Sequence, residues 1–182
     1  MLEQLQKIEY TEVVKMTDTR SQSAAKSWFY VLGVYLGDGC VSATGNKKMF
    51  RLNTIDMDFA EAVKFALKDL TNRSITIHTY SVKKSSKPNH SLYCGDNELC
   101  EKLVNDTKSK QEIPFYVHLA SNDNKKSFIE GLMDSEGYVS RAKSGGGMHF
   151  CLGFKSCDIW ISDFIRILQS IGIRIGKVSK KK

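Results

Sequence analysis

The chain has 182 residues and carries 27 Lys plus Arg against 20 Asp plus Glu, a formal net charge of +7, with 41% hydrophobic residues. That length buries a sizeable core in one body, and the basic balance suits a polyanionic partner. No apolar run reaches the roughly 20 residues of a membrane span, and the start of the chain, with Glu3 and Glu9, lacks the features of a signal or transit peptide. Five cysteines, Cys40, Cys94, Cys100, Cys151 and Cys157, are odd in number and form no C-x-x-C pair, so they read as reduced thiols rather than a disulfide framework or zinc site.

Residues 1–26 form an N-terminal extension of unassigned role, with the polar stretch Thr17 to Ser23 expected as a linker. Val31-Leu32-Gly33-Val34-Tyr35-Leu36-Gly37-Asp38-Gly39 follows, an apolar stretch with glycines four apart, then an acid and a closing glycine. The pattern returns as Ile129-Glu130-Gly131-Leu132-Met133-Asp134-Ser135-Glu136-Gly137. Gly33 and Gly131 are 98 residues apart, and so are Asp38 and Glu136, so the repeat keeps its internal register. On a helix, residues four apart share a face, and small ones let a second backbone approach. Gly33, Gly37, Gly131 and Ser135 are therefore expected at a helix–helix interface. Gly39 and Gly137 are expected to end their helices with a freely chosen φ. Two such helices packed together bring both carboxylates to one end of the pair, where like charges favour a divalent cation between them. An acid is disfavoured at a helix C-terminus by the dipole, and the placement occurs twice.

These residues resemble the LAGLIDADG homing endonucleases, in the single-chain form with two motifs. The third-position glycine, the small seventh residue, the acidic eighth and the final glycine of that pattern are matched by Gly33, Gly37, Asp38 and Gly39 and by Gly131, Ser135, Glu136 and Gly137. The resemblance implies an α+β fold of two pseudo-symmetric αββαββα halves, with the motif helices at their interface and antiparallel sheets forming a DNA-binding saddle. It implies that Asp38 and Glu136 bind the catalytic metals, with the Gly37 and Ser135 carbonyls as further oxygen ligands. The metal would be Mg2+, with Mn2+ able to replace it and Ca2+ able to bind without supporting cleavage. Lys155, at the end of the second hairpin, is the expected transition-state stabiliser; its offset counterpart in the first half is Ile55, leaving Asn53 or a water for that role.

The stretch after each motif repeats as well. Val41 to Thr44, a turn at Asn46-Lys47-Lys48 and Phe50 to Asn53 read as a hairpin; Val139 opens a second, turned at Ser144 to Gly147 and alternating through Met148, Phe150, Leu152 and Phe154. An amphipathic helix is expected in each half, from Phe59, Val63, Phe65, Ala66, Leu67 and Leu70 and from Trp160, Ile161, Phe164, Ile165, Ile167 and Leu168, with Asp58 and Asp158 as caps or dipole partners. A strand from Ile75, a return strand over His90 to Cys94 and a helix from Asn97 to Thr107 complete the first half. Ile113-Pro114-Phe115 breaks the chain, and Ser121 to Lys126 leads into the second motif. The organisation is then 1–26 extension, 27–110 first half, 111–126 linker and 127–182 second half, which stops before a second hairpin and final helix; Ile173 to Val178 is expected to begin a strand.

Ser42, Thr44, Arg51, Asn53, Thr76, His78, Tyr80, Ser140, Arg141 and His149 are expected on the polar strand faces, where a twisted ribbon reads base edges in the major groove. Basic clusters at Lys83, Lys84 and Lys87, at Lys125 and Lys126, and at Lys177 and Lys180 to Lys182 suit phosphates or plain solvation. His78, His90, His118 and His149 have no ligand spacing. The leading expectation is a metal-dependent endonuclease that cuts both strands of a long asymmetric duplex site, acting as a monomer without a membrane. It would work inside the cell wherever the host gene lies, in a bacterial or phage-infected cytoplasm or an organelle. The alternatives are a maturase that binds intron RNA and a non-catalytic DNA-binding regulator on the same scaffold.

Overall fold

The computed structural model describes residues 19–81, 87–141, 148–153, 158–176 and 178. Its elements run α1 (Thr19–Leu36), β1 (Cys40–Thr44), β2 (Lys47–Thr54), α2 (Met57–Thr71), β3 (Ile77–Tyr80), β4 (Asn89–Cys94), α3 (Asn97–Asp106), α4 (Phe115–Leu119), α5 (Asn122–Glu136), β5 (Gly137–Arg141), β6 (Met148–Leu152) and α6 (Asp158–Ser170). The order αββαββα of the first half and αββα of the second is an α+β architecture.

The first sheet is antiparallel in the order β1-β2-β4-β3. Its inner face carries Phe50, Leu52, Leu92 and Cys94, all buried, and alternation sends these residues to one side. Two helices cover them, α2 through Phe59, Ala60, Val63, Ala66 and Leu67, and α3 through Leu99, Cys100 and Leu103. Helix α2 begins where the Asp56 carboxylate accepts from the amides of Asp58 and Phe59, so Asp56 is the cap and Asp58 sits in the first turn. Phe65 departs from the expected apolar stripe. It is 72% exposed, because the buried arc of α2 is defined by residues 59, 63, 66 and 67 and leaves residue 65 on the outer side.

Helix α1 is buried on most of its circumference, from Ala25 through Leu36, because α5 lies along one side and α2 along another. Ser23 and Ser27 both donate to Asp69 Oδ2, at 3.1 and 2.8 Å, tying α1 to the end of α2. The polar stretch expected as a linker is helical from Thr19. The second motif helix likewise starts earlier than expected. Ser121 caps it by accepting from the Asn124 amide, and Asn122 to Lys126, five residues assigned to the linker, form its first turns. The remaining linker holds the short helix α4 after Pro114, whose fixed φ suits a helix entry.

The two hairpins share a register. Val41 pairs with Phe50, and Val139 pairs with Phe150, so the repeat offset of 98 on the first strand and 100 on the second is a real correspondence of partners. The first turn is at Gly45-Asn46 rather than Asn46 to Lys48, since Thr44 pairs with Lys47 and Gly45 takes φ 58°. Burial breaks the symmetry. Phe50 is fully buried, whereas Phe150 is 78% exposed: β4 flanks β2, but among the described residues no third strand flanks β6. Helix α6 instead packs on α4, burying Trp160, Phe164 and Ile167. Residues 173–176 form no strand, and among the described residues no strand pairs with them. Lys83, Lys84, the Ser144 to Gly147 turn, Phe154, Lys155, Cys157, Lys177 and Lys180 to Lys182 lie outside the described residues, as does most of the extension. No helix among the described residues is long and apolar enough to cross a membrane.

Candidate active site and sheet face

Among the described elements, α1 and α5 share the most extensive contact. A Cβ on Gly33 would sit 2.9 Å from the Leu132 amide and press into the Phe128 carbonyl; one on Gly131 would sit 3.0 Å from the Val34 amide and press into the Tyr30 carbonyl. The contact is reciprocal, backbone against backbone, and any side chain would force the helices apart. One turn further on, a Cβ on Gly37 would lie 2.8 Å from Ser135 Oγ and 3.1 Å from Glu136 Cγ. Ser135 fits this crowded end because its hydroxyl folds back onto the Gly131 carbonyl at 2.6 Å.

The two helix ends differ. Helix α1 stops at Leu36 and turns through Gly37 and Asp38, with the Gly39 amide reaching back to the Val34 carbonyl at 2.9 Å. Helix α5 continues through Glu136, and Gly137 caps it in an extended conformation, φ −84° and ψ 146°. Neither closing glycine takes a positive φ, contrary to the sequence expectation. They are small for reasons of space: a Cβ at Gly39 would meet the Phe50 ring at 2.9 Å, and one at Gly137 would collide with the Met133 carbonyl. Asp38 is exposed and Glu136 half-buried, each at the end of one motif.

Lys110 reaches the same place from the turn after α3. Its Nζ donates to the Gly37 carbonyl at 2.7 Å and lies 5.2 Å from the centre of the Tyr35 ring. Burial pulls this ammonium below the ordinary lysine range, while the neighbouring Cys40, Asp38 and Glu136 act to raise it. One lysine thus feels both motif acids. It is held by an unusual backbone: Lys108, Ser109 and Lys110 have φ of 46°, 57° and 71°. Each non-glycine residue in that left-handed region costs roughly 1–2 kcal/mol, so the surrounding contacts must over-determine the turn. Lys110 is the residue the sequence reading missed. Its nearest signal was the alternation Lys108-Ser109-Lys110 just past a helix, which looks like solvated charge.

The donor set at this end is all oxygen: two carboxylates and a helix-terminal carbonyl, with no cluster of three or more His, Cys, Asp or Glu suited to a metal among the described residues. Such a set suits a hard divalent cation that keeps water or phosphate oxygens as its other ligands.

The outer face of the first sheet is defined by register. Arg51 stands between Cys40 and Tyr93, and Asn53 pairs with Ser91, which pairs with His78; Ser42 is opposite Met49, Thr44 opposite Lys47, and Tyr80 opposite Asn89. The expected residues Ser42, Thr44, Arg51, Asn53, His78 and Tyr80 share this face, and Thr76 is exposed just before β3. The sequence reading missed Ser91 and Tyr93, although their alternation with Leu92 and Cys94 carried the signal. Arg51 lies over the Tyr93 ring at 5.6 Å, and the His78 ring is 6.0 Å from the same tyrosine. Ser91 Oγ bonds Asn53 Oδ1 and lies 3.3 Å from the Tyr80 hydroxyl, which leaves the Asn53 amide free to donate outward. Among the described residues, Ser42 Oγ and Arg51 Nε are buried with no hydrogen-bond partner.

In the second hairpin Ser140 pairs with His149, and Arg141 with Met148. His90 is not on the outer face; it is buried, with Nδ1 2.9 Å from Thr79 Oγ1. Lys125 is not available to phosphate either, being buried with Nζ 3.1 Å from Ser170 Oγ, and Lys126 lies 3.8 Å from Asp123.

No family model matches the chain. An uncharacterised protein of Methanocaldococcus jannaschii is 26% identical over 181 residues, covering 93% of this chain and 63% of that protein. A probable translation initiation factor IF-2 of the same organism is 29% identical over 128 residues, covering 66% of this chain and 10% of that protein. The chain therefore spans less than two thirds of the length of either relative. Among solved structures, the homing endonuclease I-DmoI in complex with DNA and Mn aligns with TM-score 0.47 and 18% identity, over 83% of this chain and 80% of that one. A variant of it with its target DNA aligns with TM-score 0.49 and 16% identity, over 84% and 79%.

Proposed function

We propose that this chain is a metal-dependent, site-specific endonuclease that hydrolyses duplex DNA as a monomer. The observation that carries the reading is the reciprocal glycine contact of α1 and α5, which ends in two acids, Asp38 and Glu136, with one half-buried lysine bonded to the Gly37 carbonyl beside them. A structural helix pair has no need of acids against the dipole at both C-termini, nor of a cation brought from a strained turn to meet them.

In this reading Asp38 and Glu136 would hold Mg2+ or Mn2+; the Gly37 carbonyl, which also accepts the Lys110 ammonium, and by the repeat that of Ser135, are the further oxygens at this end. The bound ions supply charge neutralisation and an activated water for attack on phosphorus. Lys110 contributes a half-buried ammonium, held by the Gly37 carbonyl, whose positive field favours the negative charge that grows on the phosphoryl oxygens. Tyr35 walls its other side. The outer sheet face orients the duplex: the Arg51 guanidinium nitrogens beyond its buried Nε, with Asn53 and His78, present donors and acceptors to base edges, and Ser42 Oγ lies buried beneath that face. In the second half, Ser140, Arg141, His149 and Lys155 belong to the same proposal.

The test is cleavage of a randomised duplex library in Mg2+, with binding followed separately in Ca2+. The wild type is expected to linearise a subset of sites, and Asp38→Asn and Glu136→Gln to bind those sites without cutting either strand. Cutting at the wild-type rate by either variant would remove that acid from the mechanism, and selective capture of structured RNA over duplex DNA would replace the reading with the maturase one.

A further inference from the structure

We infer that Thr107 is the positioning residue for Lys110, fixing the left-handed turn from which its ammonium reaches the Gly37 carbonyl at the end of the first motif. The inference rests on the reading of Lys110 as a cleavage residue.

Thr107 is the C-cap of α3 and is completely buried, although it is polar. Each of its polar groups is used. Its hydroxyl donates to the Leu103 carbonyl at 2.8 Å and accepts the Lys110 amide at 3.0 Å. Its carbonyl accepts the amides of Gln111 and Glu112, at 2.8 and 3.1 Å. Its side chain also acts on the phenol of Tyr35, the residue whose ring faces the Lys110 ammonium, opposing the burial that raises that group's pKa. One buried threonine therefore grips the start of the turn, the backbone of the lysine and the residues that follow it. The Lys108–Glu112 ion pair at 2.6 Å closes the turn from outside but is solvent-exposed and does not touch Lys110.

A side chain that only satisfied the helix end would need the bond to Leu103 and nothing more. The bond to the Lys110 amide is what selects a left-handed Lys110 over an ordinary conformation, because three such residues in succession have no intrinsic preference for it. The same side chain acts on Tyr35 near the end of α1, so the turn is referenced to the helix that leads into Asp38.

The experiment compares Thr107→Ser, Thr107→Val, Lys110→Met and the Thr107→Val/Lys110→Met double variant in full-length protein, by single-turnover cleavage at saturating duplex, duplex affinity and thermal melting. Thr107→Val is expected to cut about 10- to 100-fold more slowly, the cost of a displaced catalytic group, with affinity unchanged. Thr107→Ser keeps the oxygen and is expected to restore the rate. The double variant is expected to cut no more slowly than Lys110→Met alone, because Thr107 acts through Lys110. Where valine does not fold, Thr107→Ala carries the same comparison. Wild-type cutting by Lys110→Met would overturn the reading of Lys110 itself. An inactive Lys110→Met beside a fully active Thr107→Val, or a double variant slower than Lys110→Met, would overturn this inference alone.

Discussion

Lys110 Nζ donates to the carbonyl oxygen of Gly37 at 2.7 Å, across 73 residues of sequence. That carbonyl is one of the unpaired acceptors at the end of α1, where the helix dipole is negative, and Asp38 follows it directly. A cation here offsets the two acids and the dipole together. Lys110→Met is therefore expected to lower the cleavage rate on the order of 10²–10³-fold, the usual effect of losing one preorganised charge-stabilising donor, while leaving duplex affinity nearly unchanged. Parallel measurement of the rate at saturating DNA and of affinity in Ca2+ checks both halves of this expectation.

Gly33 and Gly131 are each pressed against the opposite helix backbone, which cannot yield as a side chain would. Gly33→Ala and Gly131→Ala are expected to destabilise the fold by about 1–3 kcal/mol each, the cost of overpacking. Because both substitutions push on one interface, the first will already part the helices and the second will add less than its own value. Urea unfolding of the two single variants and the double variant measures the shortfall; strict additivity would separate the two contacts.

Asp96 caps α3 by accepting from the Leu99 amide at 3.0 Å and is paired with Arg73 at 3.0 Å. The Leu99 amide and the Arg73 guanidinium outweigh burial and hold its carboxyl below the ordinary aspartate range. A depressed folded pKa stabilises the protein above the unfolded value of about 3.9, and that stability is lost as pH falls through the folded value. Asp96→Ala should thus cost about 1 kcal/mol at neutral pH, from the lost cap, and progressively less in acid below the unfolded pKa. Denaturant midpoints of the two proteins across that range are expected to converge.

Arg51 is backed by the Tyr93 ring, so its guanidinium is held at the outer face of the central sheet strands before any ligand arrives. A preorganised arginine loses little freedom on binding a base edge. Arg51→Ala is expected to weaken binding to the preferred duplex by about 1–3 kcal/mol and to relax the preference at one base pair. Tyr93→Leu, which keeps the charge but removes its backing, is expected to produce a smaller loss of the same kind. Competition binding over duplexes varied one base pair at a time reads out both; a uniform loss over all duplexes would reassign Arg51 to phosphate contact.

The repeated motif was readable because its information is local. Glycines four apart specify a shared helix face whatever surrounds them, and the conserved spacing of Gly33 and Gly131 with Asp38 and Glu136 carries the pairing. The second hairpin was readable for a similar reason, since alternation marks Phe50 and Phe150 on their strands and each pairs with the equivalent valine. The closing glycines were misread in kind: Gly39 and Gly137 look like conformational stops, yet Phe50 and the Met133 carbonyl exclude a Cβ there on volume alone. Ser121 to Lys126 looked like a linker because their side chains are polar, but a capped first turn is as polar as a loop.

Periodicity along the chain determined the order of elements, the faces the strands bury and the meeting of two motif helices, because each depends on neighbours within a turn or a pleat. Tertiary structure alone decided that Lys110 meets the Gly37 carbonyl beside Asp38, that Thr107 holds its backbone, and that Phe50 is buried while its repeat partner Phe150 is not. Those outcomes depend on which distant segments share one volume, and side-chain periodicity does not encode that.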